Sequence, residues 1–234
     1  RRIAETAARK LMPVALELGG KSPHIVFNDA PVDSAVAALA GGIFEGSGQS
    51  CVAGSRAFVQ RGVYDEVVAK LSAVARSLKV DLPDAAGAEM GPLATFAHRD
   101  KVAAMVEAAR AAGADILAGG ARPGSQALER GAYYLPTLIG GIDNHAAIAQ
   151  QEIFGPVLCM IPFDDEDDLI TQANNSCFGL ASGVWTRDYQ RAWRGARALE
   201  AGTVWINTYK QLSIATPFGG FKDTNNGFSD LTVT

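Results

Sequence analysis

Cysteine and histidine are scarce, with three of each in 234 residues. Cys51, Cys159 and Cys177 are odd in number and far apart, so they make neither a disulfide framework nor a metal-ligand spacing. His24, His98 and His145 are as scattered, and no metal site is expected. Long apolar runs are also missing. "AVAALAGGIF" (35–44) is too short, and too broken by glycine, to span a bilayer. No positively charged and then apolar leader opens the chain. Positive charge is not in excess either: 21 Lys and Arg stand against 25 Asp and Glu, a net charge of −4. That balance gives no long-range pull toward nucleic acid or an anionic membrane. Free thiols without a secretory leader point to a reducing compartment, so the cytoplasm is the expected location. The first residue is Arg1, not Met, and the chain is expected to begin inside a longer protein.

What is present suits a folded domain. Hydrophobic residues make up 48% and charged residues 20%, enough to bury a sizeable core. Residues 3–11 read as an Ala-rich helix, "PVALEL" (13–18) and "HIVF" (24–27) as short buried strands, and "GGKSP" between them as a turn. Asp33 is placed to cap a helix ending near Phe44. "AFVQ" (57–60) is a strand. Val63, Val67, Leu71, Val74 and Leu78 then form a helical stripe, and a second helix over 98–112 ends at Gly113. "DILAGG", "YYLPTLI", "VLCMIPF", "ASGVWT" and "GTVWIN" read as strands. Helices near 165–175 and 188–200 fall among them. This alternation predicts an α/β fold with a mainly parallel sheet covered by helices on both faces.

"FEGSGQSCVAGSR" (44–56) sets Cys51 among small residues, glycines and an arginine rather than large apolar neighbours. Gly46 and Gly48 permit positive φ, so backbone N–H groups can converge near the sulfur. Such donors would also hold an oxyanion formed when a thiolate attacks a carbonyl. Taken alone, a small residue packed at a glycine-rich turn is the commoner reading. "LELGGKSP" (16–23) puts Glu17 between Leu16 and Leu18 and before a double glycine. Burial there would raise its pKa toward a value useful for a general base.

Together these stretches resemble the active-site signatures of the NAD(P)-dependent aldehyde dehydrogenases. "QEIFGPV" (151–157), "NNSCFGLASGVWT" (174–186) and "GTVWINTY…PFGGFKD" (202–223) resemble three further motifs, and all five stand in the family's order. The resemblance implies the catalytic-domain fold of that family. It implies Cys51 as the nucleophile, Glu17 as the base that activates water against a thioester, and a backbone N–H of Cys51 in the oxyanion hole. It implies that Glu152 holds the nicotinamide ribose and that Phe154 flanks the nicotinamide, with NAD or NADP as cofactor. It further implies a small aldehyde substrate and a homo-oligomeric parent. Lys101 would lie on a helix near the cofactor, Asn207 would support the active-site loop, and Cys159, Cys177, His24 and His145 would be structural or incidental.

The pattern also departs from the family. Residues 1–20 would be the trailing edge of a cofactor-binding domain whose glycine turn and oxyanion-hole asparagine are missing, so the chain alone is expected to bind dinucleotide poorly. Residues 21–222 would form the catalytic domain. Residues 223–234 ("DTNNGFSDLTVT") depart from the family's ending and read as a mobile tail. Two other readings use the same residues: a cofactor-independent cysteine esterase or thioesterase built on Cys51 and Glu17, and a non-catalytic fragment.

Overall fold

A computed structural model describes residues 1–224. Helix α1 (Arg2–Arg9) buries none of its residues. Strand β1 (Pro23–Val26) leads into α2 (Val32–Phe44), and β2 (Arg56–Gln60) runs directly into α3 (Arg61–Ser77). Helix α4 (Phe96–Ala111) starts where the Thr95 hydroxyl accepts the His98 N–H, and it ends at Gly113 with φ 96°. Next come β3 (Asp115–Ala118), β4 (Thr137–Gly140), α5 (Ala147–Gln150) and β5 (Val157–Phe163). Helix α6 (Glu166–Asn174) is capped by Asp165, which accepts from Asp167 and Asp168 N–H, and carries acidic residues in its first turn as the helix dipole favours. Strands β6 (Phe178–Gly179) and β7 (Ala181–Trp185) precede α7 (Tyr189–Ala198), which is capped by Asp188 in the same way. Strands β8 (Thr203–Ile206) and β9 (Phe221–Lys222) complete the order.

The main sheet runs β3-β4-β5-β2-β1-β7-β8. Every pairing in it is parallel except β3 with β4. β6 and β9 form a separate antiparallel pair. The pleat sends alternate residues into two cores. Ile25, Phe58, Cys159 and Ile161 meet Val102 and Val106 of α4 and Leu169 of α6. Val26, Val59, Leu158 and Met160 meet Leu39 and Ile43 of α2 and Val67 and Leu71 of α3. Each such aliphatic side chain contributes about 1.5–3 kcal/mol on burial, which is why the strands read as nearly continuous apolar runs.

The mainly parallel α/β sheet expected from the sequence is the one observed. Three local expectations differ. Residues 13–18 form no strand among the described residues; only Glu17 sits in a β-bridge. "YYLPTLI" is a strand only from Thr137, because Tyr133 and Tyr134 are buried in the approach to it and Pro136 has no N–H to give a ladder. Asp33 does not cap α2, whose N-cap is Pro31. Its carboxylate instead meets the Lys70 ammonium at 2.5 Å. The expected mobile tail falls almost wholly outside the described residues.

Candidate active site

Three segments converge because they feed neighbouring strands. Residues 17–22 enter β1, the loop bearing Cys51 enters β2, and Glu152 to Phe154 enter β5. β5, β2 and β1 are adjacent and parallel, so all three segments reach the sheet at its amino-terminal edge.

The Cys51 loop starts as a tight turn after α2. Gly46, Ser47 and Gly48 all take left-handed backbone, at φ 61°, 59° and 70°. Glycine is the natural choice at two of them. Ser47 bears the conformation because its hydroxyl is buried and donates to Gly91 O at 2.9 Å. Cys51 itself is partly exposed. Partial burial pushes its thiol up. Backbone N–H groups of Val52 and Cys51 pull it back down, and the charges of Glu17 and Glu152 push it up again. The N–H groups of Cys51 and Val52 thus favour the thiolate, and two carboxylate charges oppose it.

Gly19 and Gly20 are the hub of that acidic side. A Cβ on Gly20 would collide with the Cys51 carbonyl, and one on Gly19 with the Glu152 carboxylate. Glycine at both positions lets the turn approach both loops. The Gly20 N–H donates to Glu152 Oε1 at 3.0 Å. Glu17 is exposed, so the burial between Leu16 and Leu18 that sequence reasoning expected is absent; Leu18 is itself 45% exposed. Among the described residues, 13–18 form no strand, and most of them lie at the surface. Phe154 is 38% exposed and left-handed, at φ 57°. A ring nitrogen of His98 meets its carbonyl at 2.6 Å. Lys101 is exposed on α4, and no interaction with the site is seen among the described residues.

Sequence reasoning missed the scaffold behind Cys51. Tyr209 donates its hydroxyl to Val52 O at 2.9 Å and stacks on His24, with centroids 4.3 Å apart. It fits because Gly42, Gly54 and Gly183 leave room: a Cβ on each would stand 3.1, 3.2 and 2.7 Å from it. His24, read as incidental, is fully buried and accepts from the Trp185 indole N–H at 2.7 Å. A lone histidine in an apolar strand carries no spacing signal, so only the fold exposes this role. Asn207 braces the end of β7 rather than the Cys51 loop it was expected to support: its Nδ2 donates to Thr186 O at 2.9 Å and its Oδ1 accepts from Thr186 N at 3.1 Å. Cys159 is buried in β5, and Cys177 is exposed.

Burial drives the His24 pKa down to about 3, so the ring stays neutral in the fold while the unfolded chain takes up a proton below the ordinary value of 6.5. Stability should therefore be full above that value and fall with acid until pH 3, by up to about 1.4 kcal/mol per pH unit. Urea unfolding at pH 5 is expected to give a stability about 2 kcal/mol below that at pH 7 from this residue. A His24→Phe variant should show a correspondingly shallower acid slope; an unchanged slope removes His24 as its source.

Behind the turn, Lys21 and Arg56 are both about 1% exposed. Arg56 donates to Lys21 O (2.9 Å), Asn144 Oδ1 (2.7 Å) and Ala173 O (2.9 Å). The Lys21 ammonium has no hydrogen-bond partner among the described residues, and burial lowers its pKa to about 8.

The aldehyde dehydrogenase family profile matches residues 1–232. A betaine aldehyde dehydrogenase of Rhizobium etli is 44% identical over 227 residues, covering 97% of this chain and 46% of that protein. The NAD+ complex of an aldehyde dehydrogenase from Bacillus cereus superposes with a TM-score of 0.93 at 40% identity, covering 97% of this chain and 45% of that one. A betaine aldehyde dehydrogenase from Staphylococcus aureus, also with NAD+, gives 0.94 at 38% identity, with the same two coverages. The chain thus spans under half the length of the relatives it matches. On sequence and fold alike, it belongs to the aldehyde dehydrogenase family.

Proposed function

We propose that this chain is the catalytic part of an enzyme that oxidises an aldehyde to a carboxylic acid with NAD or NADP, with Cys51 as nucleophile and Glu17 as base. The observation that carries the reading is the meeting of Cys51, Glu17 and Glu152 around the Gly19–Gly20 turn. The Cys51 sulfur adds to the aldehyde carbon, and the carbonyl electron pair moves to oxygen, where backbone N–H groups can receive the charge. After hydride has left the thiohemiacetal carbon, Glu17 takes a proton from the water that adds to the thioester so formed, and Cys51 leaves as thiolate. Its exposure suits that task, since an exposed carboxylate always has water beside it.

The residues present fit the nicotinamide end of a dinucleotide. Glu152 keeps acceptor capacity beyond its bond to Gly20 N–H, enough for the two hydroxyls of a ribose. The Phe154 ring, 38% exposed, is accessible to wall a nicotinamide. When bound, that group supplies the acceptor for the hydride leaving the aldehyde carbon. Residues 1–20 are proposed as the trailing edge of a cofactor-binding domain, residues 21–222 as the catalytic domain, and residues 223–234 as an atypical tail. The parent is proposed to be a homo-oligomer.

Expressed in its full reading frame, the protein is expected to reduce NAD+ or NADP+ in an aldehyde-dependent way, with betaine aldehyde, named for the relatives, among the first substrates to assay. Cys51→Ser should lower that rate by about 10³-fold or more. A Cys51→Ser enzyme with undiminished turnover would overturn the reading.

A further inference from the structure

Phe154 holds a conformation that its own residue type does not favour. Its backbone is left-handed at φ 57°, which costs a non-glycine residue energy and persists only where the surroundings impose it. The residues around it are locked by other means. The Glu152 carboxylate takes the Gly20 N–H, and Ile153 is buried in the core. Gly155 is wedged between two elements: a Cβ on it would meet a Val102 methyl of α4 at 2.8 Å, and a Cβ on Gly48 of the Cys51 loop would collide with its carbonyl. Phe154 has its side chain largely in the open, so packing alone does not set its backbone.

His98 supplies the hold. Its Nε2 lies 2.6 Å from the Phe154 carbonyl oxygen. A carbonyl only accepts, so this nitrogen carries the proton and donates. The two rings stand side by side, with centroids 6.2 Å apart and a tilt of 60°. His98 is fixed in turn. Its backbone N–H donates to the Thr95 hydroxyl at the start of α4. The segment leading into α4 is tied to the Cys51 loop by two bonds: Ser47 Oγ donates to Gly91 O at 2.9 Å, and Ala94 N–H donates to Gln49 Oε1 at 2.8 Å. The Cys51 loop, the start of α4 and Phe154 are therefore one connected frame, with His98 as its last link. We infer that His98 is a positioning residue: its imidazole N–H fixes Phe154 relative to the Cys51 loop, so that the nicotinamide is walled at a set distance from the nucleophile. The inference rests on the reading of Phe154 as the nicotinamide wall. It asks for no contact between His98 and the dinucleotide, the aldehyde or the sulfur.

The test is equilibrium binding of NAD+ or NADP+, whichever the enzyme reduces, to the protein expressed in its full reading frame. Cofactor-free hydrolysis of a nitrophenyl ester is the control. His98→Phe keeps a ring and removes the donor, and it is expected to weaken binding about three- to tenfold, the range of one lost hydrogen bond. His98→Gln still offers a side-chain N–H and should restore most of the affinity. Ester hydrolysis should be unaltered in both. Phe154→Ala should weaken binding too, and His98→Phe should add nothing in that background, because residues that act through one another are not additive. Four results would overturn the inference: unchanged binding in His98→Phe, a His98→Gln variant no better than His98→Phe, a parallel loss of ester hydrolysis, or a further loss of affinity on top of Phe154→Ala. The last would mean that His98 meets the dinucleotide itself. Should Phe154→Ala leave binding unchanged, the reading of Phe154 as the wall fails and takes the inference with it, so the silent variant tells the two failures apart.

Discussion

Glu17→Gln is expected to leave acylation of Cys51 intact and to stop deacylation. With a nitrophenyl ester, the unaltered chain should release nitrophenolate in a burst followed by steady turnover. The variant should give the burst alone, one equivalent per chain, with the steady rate down about 10²- to 10⁴-fold. The amide keeps the size of the carboxylate but cannot take a proton from water. A second effect of opposite sign should accompany it. The Glu17 charge holds the Cys51 thiol up, so its removal should shift the alkylation profile toward lower pH and speed alkylation at neutral pH. A variant that merely misfolds would slow both processes. Unchanged steady release would exclude Glu17 from the reaction.

Arg56→Leu should be the most destabilising single change near the site. The guanidinium links the turn before β1 to Asn144 and to the end of α6. Leucine fills much of the space but leaves three buried acceptors without donors. The expected loss is about 3–5 kcal/mol, a fall in melting temperature of roughly 10 °C for a chain of this size. Arg56→Lys should recover little, because one ammonium cannot reproduce a fork aimed at carbonyls in different directions. A melt within a degree or two of the original would mean that water replaces the lost donors.

Much of this was legible in the sequence because it rests on local rules. Val67 and Leu71 read as the buried stripe of a helix and are fully buried in α3. Helices read near 165–175 and 188–200 are there as α6 and α7. Gly46 and Gly48 signalled left-handed backbone beside Cys51. The illegible parts depend on what lies across space. Leu16–Glu17–Leu18 has the alternation of a strand, yet among the described residues it forms only a single bridge at Glu17, which ends exposed. Asp33 has the chemistry of a cap, but Lys70 lies one helix away and takes its carboxylate. His24 and Tyr209 carry no spacing signal; their packing arises where β1, α2 and the segment after β8 meet.

The seat of Tyr209 among Gly42, Gly54 and Gly183 has a consequence for engineering. Those three positions come from a helix, a loop and a strand, and any side chain there would unseat the ring and loosen the peptide next to the sulfur. Libraries meant to vary the proposed aldehyde site should hold these glycines fixed and randomise 211–218, where exposed Leu212 and Ile214 leave room for diversity without disturbing the segment that carries Cys51.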